Sequence, residues 1–183
     1  TETRQDLTHL AAYAIDDEGN QDPDDAISLD GDRVWVHVAD VAALVSRDSE
    51  LDLAARARGA NLYLPDAIHP MLPAAVTHQL GLGLESESPA LSIGFRVQGG
   101  ELSDIQIVPS RLRVTRISYA QADTQLDQGD LARLALLAAD YHAARLARGA
   151  ASIDMPEIII KVIDGKVVIR PMERAGSRDL VTN

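Results

Sequence analysis

Cysteine is absent from the 183 residues, which excludes disulfides and thiolate metal sites and suits a reducing interior. No apolar run is long enough to span a bilayer, and the opening T-E-T-R-Q-D lacks the apolar core of a signal peptide. A soluble cytoplasmic protein with no membrane partner is the expectation. Basic residues are scarce, 17 Lys and Arg against 28 Asp and Glu, and the net charge is −11. That balance argues against non-specific attraction to nucleic acid. The deficit is uneven: residues 1–110 carry 6 basic and 19 acidic groups, residues 111–183 carry 11 basic and 9 acidic. A polyanion would therefore have to be held by arginines of the second half, by protein outside this chain, or by cations bound to the first half.

Apolar residues make up 46% of the chain, enough at this length for one substantial core and a single domain over 1–183. The most informative stretch is Ala14 to Asp30, A-I-D-D-E-G-N-Q-D-P-D-D-A-I-S-L-D. It gathers Asp16, Asp22, Asp24 and Asp25 between two apolar runs, Ala11 to Ile15 and Ala26 to Leu29, that read as strands. Two unit charges about 4 Å apart repel by roughly 4 kcal/mol at an effective dielectric near 20, so such a cluster needs cations or open solvent. Gly19-Asn20 supplies a sharp turn, and Pro23 lets Asp22 and Asp24 point to one side. Oxygen donors without His or Cys nearby suit Mg²⁺ or Mn²⁺ rather than zinc. No register satisfies the calcium-loop pattern. On these residues alone, a divalent-metal site and a solvated acidic turn stand as alternatives.

Elsewhere, residues 1–10 read as a polar arm. Ala26 to Leu29 and Val34 to Val38 around Asp30-Gly31 read as a hairpin. His37 in V-W-V-H-V reads as a hydrogen-bonded core histidine rather than a base, and Asp40 as the cap of the next turn. The spacing predicts a helix over 46–59, capped by Asp48 or Ser49 and ended by Gly59, with Arg56 and Arg58 on its wet face. Prolines 65, 70 and 73 make 61–73 extended, and residues 76–82 read as a short helix. Residues 91–97 and 102–117 around Gly99-Gly100 read as one long hairpin. Its alternation sets Arg111 and Arg113 on one face, to grip phosphates or to solubilise an edge. Asp130 is the expected cap of a helix ending at Gly149, and Asp164-Gly165 the turn of a last hairpin. The fold class is α+β: a mixed, largely antiparallel sheet flanked by helices.

The order D-x5-D-x-D-D-A after an apolar strand resembles the metal-binding segment of the RNB catalytic domain shared by ribonuclease II and ribonuclease R. Further runs keep the family's order: R-x-D-L at Arg4 to Leu7, V-H-V-A-D-V at Val36 to Val41, N-L-Y-L-P at Asn61 to Pro65, and P-M-L-P at Pro70 to Pro73. Arg148-Gly149-Ala150 through Pro156-Glu157 and Pro171 to Arg174 extend it. The resemblance implies 3′-to-5′ hydrolysis of single-stranded RNA to 5′-nucleoside monophosphates, with Mg²⁺ or Mn²⁺ on Asp16, Asp22, Asp24 and Asp25. It implies a catalytic role for Asp24, base stacking for Tyr63, and support of the scissile nucleotide for Tyr119 in R-I-S-Y. Read without it, Tyr63 is a half-buried core tyrosine and Tyr119 a helix-start tyrosine packed on the core. Ile153 stands where the family has an aromatic clamp. A helix begun at Ser177 reaches Asn183 after about one turn, which reads as the amino-terminal half of such a domain. No stretch resembles the cold-shock-like or S1-like barrels that often flank it. A catalytically silent RNA- or protein-binding relative and a metal-stabilised structural module are the rivals.

Overall fold

The computed structural model describes residues 3–151, 158–172 and 176–182. In chain order it contains β1 (Gln5–Asp6), β2 (Ala12–Asp16), β3 (Asp25–Asp30), β4 (Arg33–Ala39), α1 (Glu50–Arg58), β5 (Leu62–Tyr63) and β6 (Ile68–His69). There follow α2 (Ala74–Leu80), β7 (Ser88–Gln98), β8 (Glu101–Leu112), β9 (Val114–Ser118), α3 (Tyr119–Asp123), α4 (Gly129–Ala147), β10 (Ile158–Ile163), β11 (Lys166–Pro171) and α5 (Gly176–Thr182). The motif residues Pro156, Glu157, Glu173 and Arg174, and Ile153 at the expected clamp position, lie outside the described residues.

Seven strands form one sheet in the order β1-β8-β7-β4-β3-β2-β9, and β5-β6 and β10-β11 form separate two-stranded ribbons. The inner strands pair antiparallel, while β1 on β8 and β9 on β2 are parallel. Only Arg113 separates β8 from β9, yet five strand steps lie between them, about 24 Å across a flat sheet. One extended residue spans about 3.5 Å. The sheet is therefore curled, bringing the end of β8 round to the start of β9. This corrects the single hairpin arm expected over 102–117: the strand stops at Leu112, and the next residues change partner to β2.

Curling divides the core. Inside lie Leu7, Leu10, Ala14, Ala26, Trp35, Leu82, Ala90 and Leu112. A second cluster packs Ile15, Leu29 and Val34 against Ala122, Leu131, Leu134 and Leu180 of α3, α4 and α5. The two sets alternate along β2 and β4, as the period of two dictates. Space beside Trp35 is tight: a Cβ on Gly94 would stand 2.7 Å from its ring. His37 is buried, joined through Nε2 to Ser28 Oγ at 2.9 Å and through Nδ1 to Ser92 Oγ at 2.7 Å. That is the core histidine read from the sequence, and burial drives its pKa down to about 4.

Three local readings change. Residues 1–10 are no free arm: β1 pairs with Ser110 and Arg111, and Leu7 and Leu10 are buried. Their apolar spacing was too sparse to read as a strand. The Asp40 carboxylate does not cap the turn over Val41–Ala43; it accepts from Arg4 Nη2 at 2.6 Å, fastening that segment to the sheet. Asp130 lies in the first turn of α4 rather than at its cap, with its charge near the positive end of the helix dipole. The helix over 46–59 forms as α1, capped by the Ser49 hydroxyl accepting from the Asp52 N–H. Asp164 and Gly165 turn the β10-β11 ribbon, both at positive φ.

Candidate active site

The acidic loop leaves β2 at Asp16 and re-enters the sheet at Asp25. Two backbone bonds pin its second half: Leu82 N–H donates to Pro23 O at 2.8 Å, and Ala39 N–H to Asp24 O at 2.8 Å. Pro23 is buried, so the loop is anchored between the half-buried Asp22 and the exposed Asp24 rather than trailing in solvent. Asn20 organises the first half. Its amide donates to Asp16 Oδ2, and its Oδ1 accepts from the Asp22 N–H at 3.1 Å.

A second element reaches in from the β5-β6 ribbon. Tyr63 Oη donates to Asp22 Oδ2 at 2.5 Å, and Asn61 Nδ2 donates to the same oxygen at 2.6 Å. Asn61 Oδ1 accepts from the Met71 N–H at 2.6 Å, so one amide ties the extended 61–73 segment to the acidic loop. Tyr119 arrives from the other side. Asp16 and Ser118 are register partners on β2 and β9, and Tyr119 opens α3 immediately afterwards. The guanidinium of Arg178 in α5 lies 3.9 Å from the Tyr119 ring centroid and accepts its counter-charge from Asp17, to which Nη2 donates at 2.5 Å.

These groups feel one another. Desolvation raises the pKa of Asp24, and the charges of Asp22 and Asp16 raise it further. Asp25 is raised by desolvation, then by Asp24 and Asp16. Burial and the bond to Asp22 raise the Tyr63 phenol; burial and Asp16 raise Tyr119, with Arg178 opposing. The four aspartates are thus close enough to repel, but among the described residues no three carboxylates converge in a ready metal-holding group. Asp16 and Asp22 are each hydrogen-bonded to amide or phenol donors, Asn20 for the first and Asn61 and Tyr63 for the second. As a donor set they fit a hard divalent cation, being oxygen-only, and such an ion would relieve the repulsion that raises Asp24 and Asp25.

Of the site residues read from the sequence, Asp16, Asp22, Asp24, Asp25, Tyr63 and Tyr119 therefore come together around one loop. Arg111 and Arg113 stand apart from it in carboxylate company: both pair with Glu87, at 3.2 and 3.0 Å, and Arg111 also with Asp6 at 3.1 Å. The sequence reading missed Asn20, Asn61, Arg178 and Arg116, whose Nη2 donates to Asn20 O. Asn61 was visible in N-L-Y-L-P, but an amide in an extended segment carries no signal of its partner.

Fold and site define a curled mixed sheet with a carboxylate-bearing loop flanked by tyrosines. A model of the RNB domain matches residues 4–183, and the chain belongs to that family. It is 38% identical over 97% of its length to an uncharacterised ribonuclease of Synechocystis sp., of which it covers 29%. Ribonuclease R of Chlamydia pneumoniae is 31% identical over 87% of the chain, which covers 26% of that protein. The chain thus spans under a third of the length of these relatives. Among solved structures, the apo form of Mycoplasma genitalium RNase R superposes with a TM-score of 0.89 at 24% identity, covering all of this chain and 32% of the other. Yeast Ssd1, described as a pseudonuclease, gives 0.69 at 22% identity over 81% of this chain and 20% of its own. Both show the fold, a mixed sheet, mostly antiparallel, with helices. No helix among the described residues is long and apolar enough to cross a membrane.

Proposed function

We propose that this chain carries the acidic part of the active site of a 3′-to-5′ exoribonuclease that hydrolyses single-stranded RNA to 5′-nucleoside monophosphates. Family membership supports the reaction class, and the single observation that carries the site is the meeting of Asp22 and Asp24 with Tyr63 and Tyr119 around one anchored loop. Asp16, Asp22, Asp24 and Asp25 would hold Mg²⁺, with Mn²⁺ as a substitute. Bound there, the metal supplies a water of lowered pKa and charge for the leaving oxygen.

The protein's own groups do the rest. Asp24, its pKa raised by desolvation and by the charges of Asp22 and Asp16, orients the attacking water and accepts a hydrogen bond from it. Tyr63, 60% exposed, presents its ring for stacking on a base while its hydroxyl holds Asp22. Tyr119, backed by the Arg178 guanidinium, supports the terminal nucleotide from the opposite side. A cytoplasmic setting is part of the same proposal, supported by the bacterial ribonucleases among its relatives.

The test is Asp24→Asn, assayed with uniformly labelled single-stranded RNA and Mg²⁺. The expected result is loss of mononucleotide release with RNA binding retained. If the unsubstituted protein binds RNA and releases nothing, the reading gives way to a silent relative, the reading that the likeness in fold to a protein described as a pseudonuclease favours.

A further inference from the structure

An open groove of about 880 Å³ runs beside the acidic loop, walled by Asp22, Leu64, Asp66, Ile68, His78 and Arg116. Its volume lies within the roughly 300–1,000 Å³ of ligand-holding clefts. The walls are unequal: Leu64 and Ile68 are 42% and 52% exposed, His78 is already paired with Glu85 at 3.1 Å, and Arg116 is a cation without a carboxylate. Among the described residues Arg116 forms no ion pair, its one polar contact being the Asn20 carbonyl. Arg111 in β8 and Arg113, the link to β9, share Glu87, and Arg111 pairs with Asp6 as well.

The chain takes trouble to hold this guanidinium. Arg116 lies on β9 opposite Ala14, and its stem crosses Gly83. A Cβ at Gly83 would stand 3.0 Å from Arg116 Cγ and 2.8 Å from Val114 O, and φ there is +81°, a left-handed value that side chains rarely adopt. Only glycine fits on both counts. The guanidinium is thus fixed against the rim of the acidic loop by a carbonyl, which uses one of its donors and leaves its charge uncompensated.

Resting on the exoribonuclease reading, we infer that Arg116 is the phosphate anchor of this chain. It grips a phosphodiester of the single strand in this groove, with sugar and base against Leu64 and Ile68, beside the aspartates that handle the strand's end. A planar guanidinium matches two phosphate oxygens at once, and an uncompensated cation answers the problem set by the acidic first half of the chain. The residue is a binding and positioning group.

The experiment measures binding of a fluorescein-labelled single-stranded oligoadenylate by anisotropy across a salt series with Mg²⁺, in an Asp24→Asn background that prevents cleavage. Arg116→Gln keeps a donor for the Asn20 carbonyl and removes the charge, and its melting temperature checks the fold. The expected result is three- to tenfold weaker binding near 0.1 M salt, on the order of one lost contact, and a log–log salt slope shallower by about 0.7. Arg116→Lys restores the slope, and Arg111→Ala with Arg113→Ala leaves it within error. An unchanged slope in Arg116→Gln overturns the assignment while leaving the nuclease reading standing. If the Asp24→Asn protein binds no RNA at any salt, the nuclease reading falls and this one with it.

Discussion

Asp16 and Ser118 face each other on the parallel pair β2 and β9, and this places Tyr119 beside the acidic loop with Arg178 stacked on its ring. Arg178 lowers the Tyr119 pKa against the upward pull of burial and of Asp16. Removing the guanidinium in Arg178→Ala therefore moves one tyrosine's ionisation to higher pH, read as phenolate absorbance in an ultraviolet titration. Loss of the ring contact costs about 0.5–1 kcal/mol of stability. A titration identical to that of the parent protein would show that the contact is not made in solution.

Tyr63 has two separable parts. Its ring is open to solvent and its hydroxyl is engaged with Asp22 and Asn61. Base stacking on an aromatic is worth about 1–3 kcal/mol, so Tyr63→Ala weakens binding of single-stranded RNA by roughly five- to a hundredfold. Tyr63→Phe keeps most of that affinity. Equal losses in the two variants would assign the effect to the hydroxyl and its tether instead.

Neutralising one acid of the loop relieves repulsion. Desolvation and then the charges of Asp22 and Asp16 raise the pKa of Asp24, so its ionised form is disfavoured by the fold. Without divalent metal, Asp24→Asn melts higher than the parent, by about 2 °C at this chain length. Added Mg²⁺ raises the melting temperature of the parent and raises that of the variant less. Calorimetry in chelator and in Mg²⁺ separates these outcomes, and equal Mg²⁺ responses would remove Asp24 from the ligand set.

The buried His37 gives a pH dependence of defined sign. Its folded pKa is about 4 against an ordinary 6.5, so between those values the unfolded chain binds the extra proton. Stability from this residue is fully present above pH 6.5 and is lost as pH falls toward 4, by about 3 kcal/mol. His37→Gln lacks that slope. Denaturant melts of both proteins from pH 4 to 7 should converge at the acid end.

The acidic loop, the α1 caps and the Asp164-Gly165 turn were legible because each is written in adjacent residues, and the buried His37 because it sits in an apolar run, although its partner Ser92 is 55 positions away. The β8-to-β9 switch was not: Leu112, Arg113 and Val114 continue an unbroken alternation, and only the distant edge of β2 decides where pairing changes. The same blindness affected Arg111, Arg113 and Arg116. Side-chain type placed a cation at each, whereas its worth depends on whether a carboxylate such as Glu87 lies across the strand. Residues 5–7 looked like a polar tail because a two-residue strand leaves no period to detect.

Arg113 is an exposed single-residue link between β9, at one edge of the sheet, and β8, which only the two-residue β1 separates from the other edge. The sleeve is hence fastened at that point by peptide bonds, with no ladder behind them. A trypsin-like nick there would let the wall unroll while the Asp16–Ser118 pairing stayed zipped, so the enclosure and the acidic loop can be taken apart separately.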